Sequence, residues 1–320
     1  MEPTPTVCIS IDVESDMPNW RVERETRLQN IKGIPRLQEL FDDLGVRPTY
    51  LLTYPVADDP ASVDLFGHIL QSGRCEIGMH CHPWTTPPVA ESEKLKAEYL
   101  SNMDLQEVRS KLRTVTHKIV ESFGIHPVSY RAGRFGLAPE HLWILEDLGY
   151  QVDSSVTPLV SWTDQDGPDY RDAPCCPYHP HYQNLNKEGN SRILEIPVTI
   201  SLTRLVPSWI RWLYLRIPRW TKIRGLMSRD GLNVIDMVWA YGAEFTSAEM
   251  LTAADVAQRA GAPIINFFMH SNEVWPGTSP YCKTKADLDA YHERLRCVLQ
   301  ELVINRGLVP RTLAEFAQDP

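Results

Sequence analysis

The feature that most constrains the fold of this 320-residue chain is a series of short apolar runs, each ending in an ionisable residue. Asp12 and Glu14 follow Val-Cys-Ile-Ser-Ile, and His80 and His82 follow Glu-Ile-Gly-Met. Arg131 follows Val-Ser-Tyr, Asp153 follows Tyr-Gln-Val, and His270 follows Ile-Ile-Asn-Phe-Phe-Met. Runs of this length and β-branched content read as strands. Between them lie segments of helical spacing, such as Leu28, Ile31, Ile34, Leu37, Leu40, Phe41 and Leu44 before Gly45. The pattern predicts strands at about 6–11, 47–53, 75–80, 128–131, 149–153, 193–200 and 264–270. Helices are expected at 28–44, 61–71, 92–122 with a break near Met103, 139–148 and 283–305. Strands alternating with helices indicate parallel βα units, and a distorted (β/α) barrel gathers the C-terminal strand ends around one mouth. Residues far apart in sequence then meet there.

The length suits one barrel domain spanning 1–320, with inserted material at about 160–250. A net charge of -9 argues against nucleic-acid binding, which needs a basic face to displace counterions. The N-terminus has no basic n-region or apolar h-region, and no run of about 18 apolar residues suggests a membrane span. Seven cysteines form an odd set without framework spacing, so reduced thiols and a cytoplasmic location are expected.

Two carboxylates, two imidazoles on one strand end, an arginine and a late histidine are the parts of a metal-assisted hydrolase. On extended backbone, residues two apart share a face, so Asp12 and Glu14 can both look into the mouth, and so can His80 and His82. Plainer readings stay open: one acid caps a loop, His82 bonds a carbonyl before Pro83, Arg131 forms a surface ion pair, and His270 simply packs. A Cys81–His80 dyad is disfavoured because adjacent strand residues face opposite ways. Cys175, Cys176, His179 and His181 match no closed zinc module, and no phosphate-cradling glycine motif occurs.

Taken in order, these segments resemble the motifs of the polysaccharide deacetylase family (NodB-homology, carbohydrate esterase 4 group). Ile-Asp12-Val-Glu14 resembles its first motif, in the form of the Asp-x-Asp branch. Glu76-Ile-Gly-Met-His80 resembles the second, Arg131-Ala-Gly133 the third, Asp153 the fourth and Met269-His270 the fifth, with Leu194-Glu-Ile-Pro197 as a further feature. The resemblance implies a deacetylase-type barrel and a hydrolase removing an acetyl or formyl group from an N-acylated amino sugar. It implies Asp12 as general base, Arg131 orienting it, His270 as general acid and Asp153 holding the His270 imidazole. It also implies a divalent metal, zinc first, with cobalt, nickel and manganese as alternatives, on Glu14 and His80. The family places its second histidine four residues after the first, where this chain has Trp84. His82 is the candidate replacement. An inactive saccharide-binding relative and a hydrolase of a non-sugar amide are the rival readings.

One segment stands outside this scheme. Between Glu195 and Asp230 there is no acid, but there are Arg204, Arg211, Arg216, Arg219, Lys222, Arg224 and Arg229, interleaved with Trp209, Trp212, Tyr214 and Trp220. Pro207 and Pro218 confine any helix to the span between them. Either its apolar side chains pack on the barrel, or 204–229 contacts an anionic inner membrane face and a lipid-linked sugar.

Overall fold

The structure is a computed structural model and describes residues 5–21, 26–89, 98–217, 221–227 and 235–319. Seven parallel strands build a curled sheet: β1 (Thr6–Val13), β2 (Thr49–Leu52), β3 (Glu76–Cys81), β4 (Ser129–Ala132), β5 (Val152–Asp153), β6 (Leu194–Glu195) and β7 (Ile264–His270). Their spatial order is β7-β1-β2-β3-β4-β5-β6, and Val309–Pro310 adds a short pairing at the start of β1. Every residue of β1 is buried, as expected for a parallel strand covered on both faces. The principal helices are α1 (Ile34–Asp43), α2 (Pro60–Gln71), α3 (Leu105–Phe123), α4 (His141–Asp147), α5 (Ser208–Arg216), α6 (Ser247–Arg259), α7 (Lys285–Leu299) and α8 (Leu313–Gln318). This is the distorted (β/α) barrel the strand series predicts.

The departures have local causes. The run expected as one strand over 193–200 gives only β6 and, separately, Ile200–Leu202. Pro197 lies between them and has no N–H for a ladder. Between β6 and β7 the wall is closed instead by irregular backbone. Thr199 N donates to Asn266 O at 3.0 Å, Ala240 N to Thr199 O at 2.9 Å, and Phe268 N to Ala240 O at 3.0 Å. The helix expected over 92–122 begins at Leu105, where the Asp104 carboxylate accepts from Gln106 N, and ends at Gly124 in the left-handed region. Its predicted first turns fall partly on residues 90–97, outside the described set. The closing helix starts at a Thr284–Asp287 capping box and passes into a π-helical turn over Gln300–Asn305.

Lys111 of α3 is the contact that fixes the loop after β3. Its side chain is buried, and Nζ donates to the carbonyls of Pro83, Thr86 and Pro88 at 3.1, 3.0 and 2.7 Å. One ammonium thereby holds the segment that carries His82 and Trp84.

The inserted segment springs from an antiparallel pair, Ile200–Leu202 with Met237–Trp239. Helix α5 runs over the span the prolines allow, and Tyr214 and Leu215 anchor it. Trp209, Trp212 and Leu213 do not pack on the barrel; they are 66, 54 and 54% exposed. Arg219, Trp220 and Arg229 lie outside the described residues. Among the described residues no helix is long and apolar enough to cross a membrane, and all seven cysteines are free.

Replacing Lys111 by Met should leave the carbonyls of Pro83, Thr86 and Pro88 without their donor, the first two on buried residues. A loss of about 3 kcal/mol in urea unfolding is expected, together with faster amide exchange over residues 82–88.

Candidate active site

Parallel pairing brings the strand ends to one level: Asp12 is the register partner of His270, and His80 that of Arg131. Asp12, Glu14, His80, His82 and His270 all line one cavity of about 590 Å³. The first four are nearly inaccessible to solvent. The structure therefore assembles these five predicted residues, and Arg131 lies behind them as a fully buried side chain.

Each group is held by a named partner. Arg131 Nη1 donates to Asp12 Oδ1 at 2.8 Å, Nη2 to the hydroxyls of Ser10 and Ser154 at 2.6 and 2.9 Å, and Nε to Ser154 O at 2.7 Å. This is no surface ion pair. Glu14 Oε1 accepts from Asn272 Nδ2 at 2.8 Å, which turns Oε2 toward the histidines. His80 Nδ1 donates to the Arg131 carbonyl at 3.0 Å, which turns its Nε2 toward Glu14 and His82.

Glu14, His80 and His82 each present a ligand atom, and the three atoms lie within 4.8 Å of one another. His80 Nε2 is 2.9 Å from His82 Nε2, and Glu14 Oε2 is 3.1 Å from His82 Nε2 and 3.7 Å from His80 Nε2. Burial, then the charges of His80, His270 and Arg134, push the His82 pKa well below 6.5. His82 is thus a neutral ring. One carboxylate oxygen and two inward-facing imidazole nitrogens form a donor set that fits a divalent cation such as zinc, with positions left for water and substrate. Asp12 Oδ2 borders this cluster, 3.7 Å from His80 Nε2.

Two neighbours shape the His82 position. Trp84, at the place of the family's second histidine, stacks on the His82 ring with centroids 4.2 Å apart. Behind it, a Cβ at Gly133 would stand 2.4 Å from His82 Cδ2 and 2.6 Å from the Cys81 carbonyl oxygen, so glycine there makes room for the ring. The next two residues, Arg134 and Phe135, both adopt left-handed φ of 53° and 60° at the cavity wall. Non-glycine residues held so are often found at functional sites.

The expected Asp153–His270 pairing is not formed. His270 Nδ1 donates instead to Glu273 Oε1 at 2.6 Å. Glu273 is fully buried and also accepts from the hydroxyls of Tyr241 and Tyr291, at 2.6 and 2.8 Å. Burial alone would lower the His270 pKa; Glu273, then Glu14 and Asp12, outweigh it and raise the pKa to about 9. Glu273 follows His270 by three residues in a short 3-10 turn, and that spacing was the signal available in the sequence. Asn272 in the same turn was equally open to notice.

Asp153 belongs to a different cluster. It lies beside Glu195 in the β5–β6 ladder, and both are fully buried. Ser155 Oγ donates to Asp153 Oδ1 at 2.5 Å, and Val156 N to Glu195 Oε1 at 3.0 Å. Asp153 Oδ2 and Glu195 Oε2 have no other partner, and one proton held between the two carboxyls satisfies both. Burial raises both pKa values, that of Glu195 well above 4.5 and further through the neighbouring Asp153 charge.

The fold is that of the polysaccharide deacetylases, so the likeness seen in the order of the motifs extends to the three-dimensional structure. No family model matches the chain, and no curated protein matches it. Among solved structures, it resembles a protein from Mycobacterium smegmatis described as a polysaccharide deacetylase, with 17% identity over 99% of this chain and 90% of that one, at a TM-score of 0.58. A protein from Parabacteroides distasonis described as a glycoside hydrolase/deacetylase aligns at 13% identity over 98% of this chain and 71% of that one, with a TM-score of 0.64. An allantoinase aligns at 15% identity over 98% and 90% of the two chains, with a TM-score of 0.55. At these identities the similarity concerns the fold.

The carboxyl pair carries a pH signature. Because the Glu195 pKa is raised on folding, its contribution to stability is complete below about pH 4.5 and is lost as pH rises toward the folded value. Glu195→Gln supplies a donor to Asp153 at every pH. Thermal melts between about pH 5 and 8 should therefore show a shallower decline for this variant than for the native protein.

Proposed function

We propose that the chain is a metal-dependent hydrolase that removes an N-acyl group, acetyl or formyl, from an amino sugar. The observation that carries this reading is the Glu14–His80–His82 donor set beside an arginine-held Asp12, with His270 facing it from the neighbouring strand. Glu14, His80 and His82 would hold a divalent cation, zinc first, with cobalt, nickel or manganese as alternatives. When bound, the cation supplies Lewis acidity, which polarises the acyl oxygen and acidifies water.

The remaining chemistry falls to the side chains. Asp12, with Oδ1 tied to Arg131, has Oδ2 turned to the cluster and takes the proton of the attacking water. His270, cationic through Glu273, gives a proton to the departing nitrogen, since an amine leaves poorly as its anion. Because Glu273 occupies Nδ1, that proton comes from Nε2.

The cavity wall supports a sugar as substrate. Trp20, Trp84, Trp162, Trp239, Tyr241 and Tyr281 line it, and their faces suit the C–H faces of a pyranose, while Arg134, Gln165 and Glu244 provide polar contacts at the rim. A screen of N-acetyl and N-formyl sugars against cyclic ureides, scoring released acetate, formate and amine, tests the substrate class. Turnover of ureides alone would overturn the sugar reading.

Elemental analysis tests the metal. Native protein should carry one ion, and His80→Ala and His82→Ala should each purify without it. Asn272→Ala, which frees Glu14 Oε1, should weaken affinity about 10–100-fold in a chelator titration. If His82→Ala retains a full equivalent, the ligand set is wrong.

The His270 assignment predicts a pH effect of definite sign. The acid form persists up to about pH 9 because of Glu273. Glu273→Gln removes the charge that holds the proton, so the alkaline limb of the kcat profile should move to lower pH. His270→Ala should lose about 10²–10⁴-fold in kcat with little change in metal content.

A further inference from the structure

The inserted segment between the paired strands Ile200–Leu202 and Met237–Trp239 presents a surface that neither the fold nor the cavity uses. Eleven large hydrophobic residues stand exposed among the described residues, and six of them fall here: Leu205, Trp209, Trp212, Leu213, Ile223 and Leu226. Each is more than half exposed, at 54 to 66%. Trp209, Trp212 and Leu213 are spaced i, i+3 and i+4 on α5, so they form one stripe, while Tyr214 and Leu215 on the opposite side fasten the helix to the body.

The charge carried by the segment itself has one sign. Residues 196–229 contain seven lysines and arginines and no acid, in a chain of net charge -9. On the helix, Arg211 is exposed, and the Arg216 guanidinium lies 4.4 Å from the Trp212 ring centre while pairing with Asp172. An apolar stripe of tryptophan and leucine with flanking arginines is the composition of an element lying in a membrane interface, where rings sit at headgroup depth and cations meet anionic lipid. A negatively charged body is repelled by the same surface, so contact through this face alone fixes the orientation.

From these observations we infer that the exposed face of α5, with Leu205, Ile223 and Leu226, docks the protein peripherally on an anionic lipid bilayer. The docking face is rooted at the active-site rim, because Met237 and Trp239, at the end of the insert, line the cavity. Docking therefore sets the cavity beside the headgroup layer, where a sugar carried on a lipid would be presented. The lipid contact stands apart from the hydrolytic reading, since it is measured without turnover.

Flotation of the full chain with vesicles is the test. The protein should float with phosphatidylglycerol–phosphatidylcholine vesicles and not with phosphatidylcholine alone. It should be released at ~1 M salt, where the screening length falls to about 3 Å. The double variant Trp209→Ser/Trp212→Ser should lower the bound fraction at least about tenfold, and Arg211→Glu should lower it too, with metal content and circular dichroism unchanged in both. Failure of the native protein to float, or equal flotation of the double variant, would overturn the inference. So would a concentration-dependent dimer in sedimentation, abolished by the same variant, because the stripe would then be an interface between copies of the chain.

Discussion

The site depends on one buried cation. Arg131 has no access to solvent, so its guanidinium must find partners inside the sheet. It finds the Asp12 carboxylate on β1, the Ser10 hydroxyl on the same strand, and the hydroxyl and carbonyl of Ser154 beyond β5. Its own carbonyl accepts from His80 Nδ1. One residue on β4 thereby fixes the rotamer of the proposed base and the tautomer of a proposed ligand. Ser154 and Asn266 extend the network, since Asn266 Nδ2 donates to Ser154 Oγ at 2.9 Å and Ser10 Oγ to Asn266 Oδ1 at 2.9 Å. A network so fully satisfied is rigid, and rigidity is what holds catalytic groups within a fraction of an ångström.

Within that frame, identical residue types are driven apart by their surroundings. His82 has burial and nearby positive charge, and both favour the neutral ring. His270 is also buried, but Glu273 sits on its Nδ1 and reverses the balance. A neutral ring suits a ligand, and a cationic ring suits an acid. Divergent environments for like groups mark a division of labour. The Asp153–Glu195 pair shows the same principle in the opposite role: two carboxyls with one proton between them are a structural pair, away from the cavity.

Five strand ends were legible in the sequence because each places an ionisable residue after an apolar run, and parallel topology leaves only one end for them to gather at. What escaped was contact detail. Motif order assigned Asp153 to His270, yet the turn after β7 returns Glu273 to that ring at a spacing of three residues. The break at Pro197 was visible as a residue but not as a change of path, because the backbone bonds that replace the ladder come from Thr199 and Ala240. Exposure of the insert could not be read at all. Helical spacing of tryptophan and leucine is the same for a packed face and an open one.

The place of Trp84 follows from where β3 ends, at Cys81. His80 and His82 lie two apart at the end of β3, so their rings share a side, and Trp84 follows in the turn beyond. The His80 and His82 ring centres are 4.6 Å apart, and Trp84 continues the row 4.2 Å beyond. A ligand pair at i, i+2 needs no intervening turn to bring its nitrogens together, whereas a pair at i, i+4 does. With His82 proposed as the second ligand, position 84 is free to take a large ring. That ring stacks on His82 and forms part of the cavity wall. In the proposed ligand set, His82 supplies the second nitrogen and the Trp84 ring covers it on the cavity side.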